Sequence, residues 1–203
     1  MLLLSGVSAI HRVPKLSVAI LAMLMAGSVA GCDRKKQDGE QAGQAAPPAK
    51  EGPARFAYRI DRDHRGKPVP GAVFRGPDDA AVTLAAFRGR PLLVNLWATW
   101  CAPCIAEMPT LDALARESGD RMAVVAVAQD LQGAAVVDPW FQKAGLTTLQ
   151  PYLDPQNALL DAFGAAGLPI SIYYGADGRE IWRLTGAIDW QGEEANKLLA
   201  EAG

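Results

Sequence analysis

The segment from Pro91 to Cys104 constrains the fold of this 203-residue chain more than any other. Pro91-Leu92-Leu93-Val94-Asn95-Leu96-Trp97 is an almost unbroken apolar run, the pattern of a central strand buried on both faces. Cys101-Ala102-Pro103-Cys104 follows after three residues. From Ala102 to Glu117 the residues Ile105, Met108, Leu111 and Leu114 then recur on one helical stripe. A doubly buried strand leading straight into a helix predicts an α/β sheet covered on both sides. Cys101 falls at the start of the helix and Cys104 one turn later on the same face. The first sulfur therefore meets free backbone N–H groups and the positive end of the helix dipole, which favour thiolate over thiol.

The rest of the chain extends the same pattern. Gly71 to Phe87 alternates turn residues with short apolar runs and predicts a small hairpin ahead of the main fold. Met122 to Ala128 reads as a second buried strand and Ala134 to Ala144 as a helix that Pro139 should kink or restart. Asp154-Pro155 predicts a helix start, with Asp154 as cap and Pro155 in the first position, running to about Phe163. Pro169–Tyr174 and Glu180–Thr185 read as strands joined by a Gly175–Gly178 turn, and Asp189 as the cap of a last helix ending near Ala202.

A Cys-x-x-Cys pair admits several chemistries. Zinc requires four ligands, and the remaining candidates are His11, His64 and Cys32, all far from the pair in sequence. A structural disulfide across two intervening residues closes too small a loop to constrain much. Cysteine-protease chemistry lacks a placed histidine. Thiol-disulfide exchange fits best, and it calls for no small-molecule cofactor because two sulfurs carry both electrons. The formal net charge of −2, with no basic stripe, gives no footing for nucleic acid.

The third cysteine belongs to a different feature. Residues 1–31 carry His11, Arg12 and Lys15 but no acid, followed by a mostly apolar stretch of 14 residues, Leu16 to Val29. That is short for a spanning helix, which needs about 20 residues, and right for a signal-peptide core. Val29-Ala30-Gly31-Cys32 resembles a bacterial lipobox, with Cys32 as the lipidated residue; a plain secretory signal and an uncleaved anchor are the alternatives. Asp33 resembles an inner-membrane retention signal. Cleavage would leave 18 basic and 22 acidic residues. The remainder of residues 32–55, rich in Gln, Gly, Ala, Pro and Lys, reads as a disordered linker with a reach of roughly 25 Å. The folded domain is expected at 56–203.

The segment VNLWATWCAPCIAEMP resembles the active-site segment of the TlpA/ResA branch of the thioredoxin superfamily, with similarity extending from about Lys67 to Trp190. The resemblance implies a thioredoxin-like fold, a mixed sheet flanked by helices with the added N-terminal hairpin. It assigns exchange chemistry to Cys101 and Cys104. It makes Gly167-Leu168-Pro169 the cis-proline loop, with Pro169 beside the disulfide and the Leu168 backbone pairing with substrate. Ile170 departs from the family's usual threonine. Glu107 takes the position of a glutamate that tunes the thiols and handles protons, while Asn95 stands where thioredoxin has a buried aspartate. Gly186-Ala187-Ile188-Asp189-Trp190 resembles a stretch of TlpA. Trp100, Ala102 and Pro103 are the expected docking residues. The implied setting is the periplasmic side of a bacterial inner membrane. There the protein would reduce disulfides of an apocytochrome or a copper-site protein and draw electrons from a membrane donor of the DsbD/CcdA type. Two alternatives stay open: a Sco-like copper chaperone and an oxidase donating disulfides to secreted proteins.

Overall fold

The computed structural model describes residues 57–202. The expected signal segment, Cys32 and the linker lie outside the described residues. Eight strands form one sheet in the order β1-β8-β7-β4-β5-β6-β2-β3. Its centre is β4 (Leu92–Trp97), parallel to β5 (Ala123–Ala128) and antiparallel to β7 (Ile170–Tyr174). All six β4 side chains are buried, so the apolar run, broken only by Asn95, is what a strand covered on both faces requires. The sheet is mixed: β7 runs antiparallel to β4 and to β8 (Glu180–Gly186), its partner in the closing hairpin.

Two apolar layers cover the sheet. On one side Leu93, Trp97, Tyr173 and Trp182 meet Met108, Leu111 and Leu114 of α1 (Ala102–Ser118), Val137 of α2 (Ala134–Ala144) and Leu198 of α4 (Glu193–Leu199). On the other, Leu92, Val94, Leu96 and Ile172 pack on Leu159 and Phe163 of α3 (Ala158–Phe163). The hairpin expected between Gly71 and Phe87 pairs β2 (Val73–Arg75) with β3 (Ala81–Thr83), and β2 joins the main sheet through β6 (Tyr152–Leu153). The edge strand β1 (Tyr58–Asp61) was not foreseen; it pairs with β8 and places His64 in the turn just after it.

Two helix starts differ from expectation, and a third helix keeps its expected bounds through an internal proline. Asp154 and Pro155 enter a turn, closed by Asn157 N–H to the Asp154 carbonyl at 2.9 Å, and α3 starts only at Ala158. The Asp154 carboxylate still accepts from the N–H groups of Ala158 and Leu159 at 3.0 and 2.8 Å, capping the helix from four residues upstream. Asp189 likewise makes a local turn, accepting from Gln191 N–H at 2.9 Å, and α4 begins at Glu193 after Gly192. Pro139 does not restart α2, which runs unbroken through it. Pro139 removes one bond, to the carbonyl of the exposed Ala135, which water can supply instead.

Candidate functional site

The two cysteines stand where β4 ends and α1 begins. Cys101 is the N-cap of α1, in extended conformation, and Pro103 occupies the first turn, where a missing N–H breaks no helical bond. Cys101 and Cys104 form a disulfide with their Cα atoms 5.3 Å apart. The Cys104 N–H points to Cys101 Sγ at 3.4 Å, so the outer sulfur sits on the free donors of the helix start. Cys101 retains 5% of its surface and Cys104 none. Only Cys101 is open to an approaching sulfur. Ala102, Pro103 and Trp100 around it are exposed, Trp100 to 70%.

The approach loop is tied down by a residue that the sequence reading passed over. Asp130, 2% exposed just after β5, accepts from Thr99 N–H at 3.0 Å and from Thr99 Oγ1 at 2.6 Å. Leu131, the next residue, is 73% exposed and adds a second bare apolar side chain on the loop clasped to this one. Leu168–Pro169 is a cis peptide bond, with Pro169 buried and Leu168 half-buried. The Pro169 carbonyl accepts from Gly186 N–H at 2.9 Å. Gly186 has φ +101°, and a Cβ there would lie 2.2 Å from the Ala57 carbonyl oxygen. Only glycine allows β1, β8 and the proline loop to meet at that point.

Glu107 lies one turn beyond Cys104 on α1 and is fully buried. Its Oε1 accepts from Asn95 Nδ2 at 2.8 Å and its Oε2 from the Ile188 backbone N–H at 3.1 Å. Asn95 Nδ2 also donates to Ser171 Oγ at 3.0 Å. Asn95 and Ser171 are register partners on β4 and β7, which turns both side chains toward the α1 face. Burial pushes the Glu107 carboxyl up from 4.5 to about 7, against the lowering effect of Asn95, Ile188 and Trp190. The Trp190 indole N–H is near enough to favour the carboxylate but makes no bond of ordinary geometry. Trp190 N–H itself donates to Thr110 Oγ1 at 3.2 Å. The segment 186–190 thus crosses α1 and supplies one of the two donors on Glu107. Asn95 and Ser171 were visible as lone polar residues in buried strands. The Ile188 contribution is a backbone one and leaves no trace in residue type.

Comparison with known proteins agrees with this geometry. The Redoxin family model matches residues 61–199. The chain belongs to the Redoxin family. Thioredoxin of Mycolicibacterium smegmatis is 32% identical over 93 residues, 45% of this chain and 83% of that protein. The thiol-disulfide oxidoreductase ResA of Bacillus thuringiensis is 27% identical over 137 residues, 67% of this chain and 75% of that protein. Among the first curated relatives the chain covers between 24% and 83% of their own lengths. The crystal structure of a thiol:disulfide interchange protein from Chlorobium tepidum superposes with a TM-score of 0.57 at 21% identity, over 70% of this chain and 99% of that one. This redoxin is a TlpA/ResA-like member of the thioredoxin superfamily and a thiol-disulfide oxidoreductase. No helix among the described residues is long and apolar enough to cross a membrane.

Proposed function

We propose that this redoxin reduces disulfides in specific extracytoplasmic partner proteins, with Cys101 as the attacking sulfur and Cys104 as the resolving one. The observation that carries the assignment is the asymmetry of exposure: Cys101 reaches the surface and Cys104 does not. In the reduced protein the Cys101 thiolate attacks a partner disulfide, forming a mixed disulfide and releasing one partner thiolate. Cys104 gives its proton to Glu107, attacks Cys101 Sγ and displaces the second partner sulfur. Two electrons pass to the partner, and Cys101–Cys104 closes.

Trp100, Ala102 and Pro103 form the exposed rim on which the partner docks, and Leu131 extends it. The Leu168 backbone ahead of Pro169 offers pairing groups to the substrate chain. Cys32 carries the lipid that holds the protein at the periplasmic face of the inner membrane, with 32–55 as the tether. An apocytochrome or a copper-site protein is the partner class, and a membrane donor of the DsbD/CcdA type restores the dithiol.

Potentials in this superfamily span about 150 mV, roughly 7 kcal/mol for two electrons, and decide the direction. Titration of the purified protein against a dithiol buffer is expected to give a potential well below about −200 mV. A value near −120 mV would make it a disulfide donor instead. Cys104→Ser is expected to accumulate a mixed disulfide with the natural partner in cells, whereas Cys101→Ser traps nothing.

A further inference from the structure

The buried polar group beneath the disulfide has one member without a partner. Asn95 is fully buried, and its Nδ2 serves both Glu107 Oε1 and Ser171 Oγ while its Oδ1 has no hydrogen-bond partner. An orphaned buried acceptor in the middle of a central strand is costly and calls for a reason. Leucine or valine at this position would continue the apolar run without that penalty.

The reason lies in what a protonated Glu107 would need. As a carboxylate, Glu107 is an acceptor only, and the observed donors, Asn95 Nδ2 and Ile188 N–H, suit it. Once it takes a proton, its O–H requires an acceptor. The Ile188 N–H cannot provide one, and neither can Asn95 Nδ2. The described surroundings offer little else. Cys104 and Thr110 lie on the same helix, and the Thr110 hydroxyl is committed to the Glu107 backbone carbonyl at 2.9 Å. Ser171 faces the group from β7 through Asn95, Ile188 and Trp190 face it from the segment after β8, and no charged side chain is among the groups that act on it.

We propose that Asn95 is a positioning residue that serves Glu107 in both protonation states by turning its side-chain amide over, with Ser171 as the third member of the exchange. Turning the amide by half a rotation puts Oδ1 where Nδ2 stands. Oδ1 then has two lone pairs for two donors, the Glu107 O–H and the Ser171 O–H. The serine hydroxyl, acceptor in one state and donor in the other, needs only to rotate. Oxygen and nitrogen of the amide have nearly the same shape, so packing is unchanged. One amide atom stays unpaired in either orientation, Oδ1 beside the carboxylate and Nδ2 beside the acid. A fixed donor at this position would stabilise the carboxylate alone and oppose proton uptake from Cys104. An amide that turns accepts the proton's arrival without moving backbone.

The inference rests on Glu107 as the proton acceptor, and the test separates the two. The pH–rate profile for reduction of an insulin disulfide by the full-length reduced protein is measured for native, Glu107→Gln and Asn95→Leu. Glu107→Gln is expected to remove the inflection near neutrality; retention of the inflection would defeat the proton-acceptor reading itself. Asn95→Leu removes a partner from both forms of Glu107, so the inflection is expected to stay within about half a unit of native, a threefold change in protonation ratio. An upward move of about one unit or more would mean that the amide is a fixed donor to the carboxylate alone and would overturn the proposal. The native protein decides the turning directly by neutron diffraction, which distinguishes nitrogen from oxygen. Oδ1 is expected to face Glu107 in crystals well below the inflection and Nδ2 well above it. Nδ2 facing Glu107 in both would overturn the proposal.

Discussion

Helix α1 buries two carboxyl groups five residues apart, and they meet opposite fates. For both Glu107 and Asp112, burial is the largest influence and favours the neutral acid. Glu107, with one amide donor and one backbone N–H, yields to it and rises to about 7. Asp112 does not yield. Its Oδ1 accepts from the N–H groups of Thr148 and Leu149 at 2.9 and 2.8 Å, and its Oδ2 from Thr147 N–H and Oγ1 at 3.2 and 3.1 Å. Against burial, the bonds from Leu149, Thr148 and Thr147 together hold it below the ordinary 3.8. Four donors at the lesser depth let Asp112 keep its charge, and two at the greater depth do not let Glu107 keep its own. One acid is fixed as an anchor for the loop before β6, and the other is left free to titrate beside the dithiol.

The largest effect expected from this contrast is structural. Asp112→Ala would strip four donors of their acceptor, three of them backbone N–H groups. Each buried donor left unpaired costs on the order of 1–3 kcal/mol, reduced where water reaches the exposed Thr147. A destabilisation of about 3 kcal/mol in urea unfolding at pH 7 is expected, with the specific exchange rate of the folded fraction unaltered. A loss under about 1 kcal/mol would mean that the four bonds do not anchor the loop, and the contrast with Glu107 would fail.

The second effect is in pH. A carboxyl whose pKa rises on folding binds its proton more tightly in the native state, so its contribution is full below the unfolded value and lost as pH rises through the folded one. For Glu107 the window runs from 4.5 to about 7, which corresponds to roughly 3 kcal/mol of stability lost across it at 1.36 kcal/mol per unit. Asp112 has the opposite sign: its contribution stands above 3.8 and is lost as pH falls through its lowered folded value. Urea midpoints of the oxidised protein between pH 4.5 and 8 are expected to fall, and Glu107→Gln to flatten that slope while leaving the acid limb intact. A native slope unchanged in Glu107→Gln would show that Glu107 is already charged at low pH.

Much of this arrangement is legible in residue type because period and polarity report burial. The apolar runs of β4, broken only by Asn95, and of β5, the stripe on α1 and the Gly175–Gly178 turn each state their environment locally, and the structure places them within a residue or two of expectation. The helix starts at Asp154 and Asp189 were misplaced because a cap residue and a turn residue use the same side-chain acceptor. What followed, Asn157 at φ +56° and Gly192, decided between them. β1 went unread because its four residues are exposed or half-buried and show no strand period. At the site, Cys101, Cys104 and Glu107 stand out by type and spacing. The donor from Ile188 and the clasp on Thr99 do not, since one is a backbone group and the other joins residues 31 apart.

That clasp provides the smallest and most discriminating test of the donor-counting rule. Asp130 is as buried as Asp112, yet both its bonds go to one residue, the N–H and hydroxyl of Thr99. An asparagine at 130 could keep both: its oxygen accepts from Thr99 N–H, and its amide donates to a hydroxyl that turns round to accept. An asparagine at 112 cannot, because three backbone N–H groups that never reverse face the two oxygens. Asp130→Asn is therefore expected to cost about 1 kcal/mol or less, and Asp112→Asn about twice that or more, in the same urea titration. Thr99 lies two residues before Cys101, so the exchange rate of Asp130→Asn should stay within about twofold of native if the clasp works by position alone, a difference of under 0.5 kcal/mol in the barrier. A larger drop with stability intact would mean that the charge of Asp130, and not its hold on Thr99, acts on the attacking sulfur.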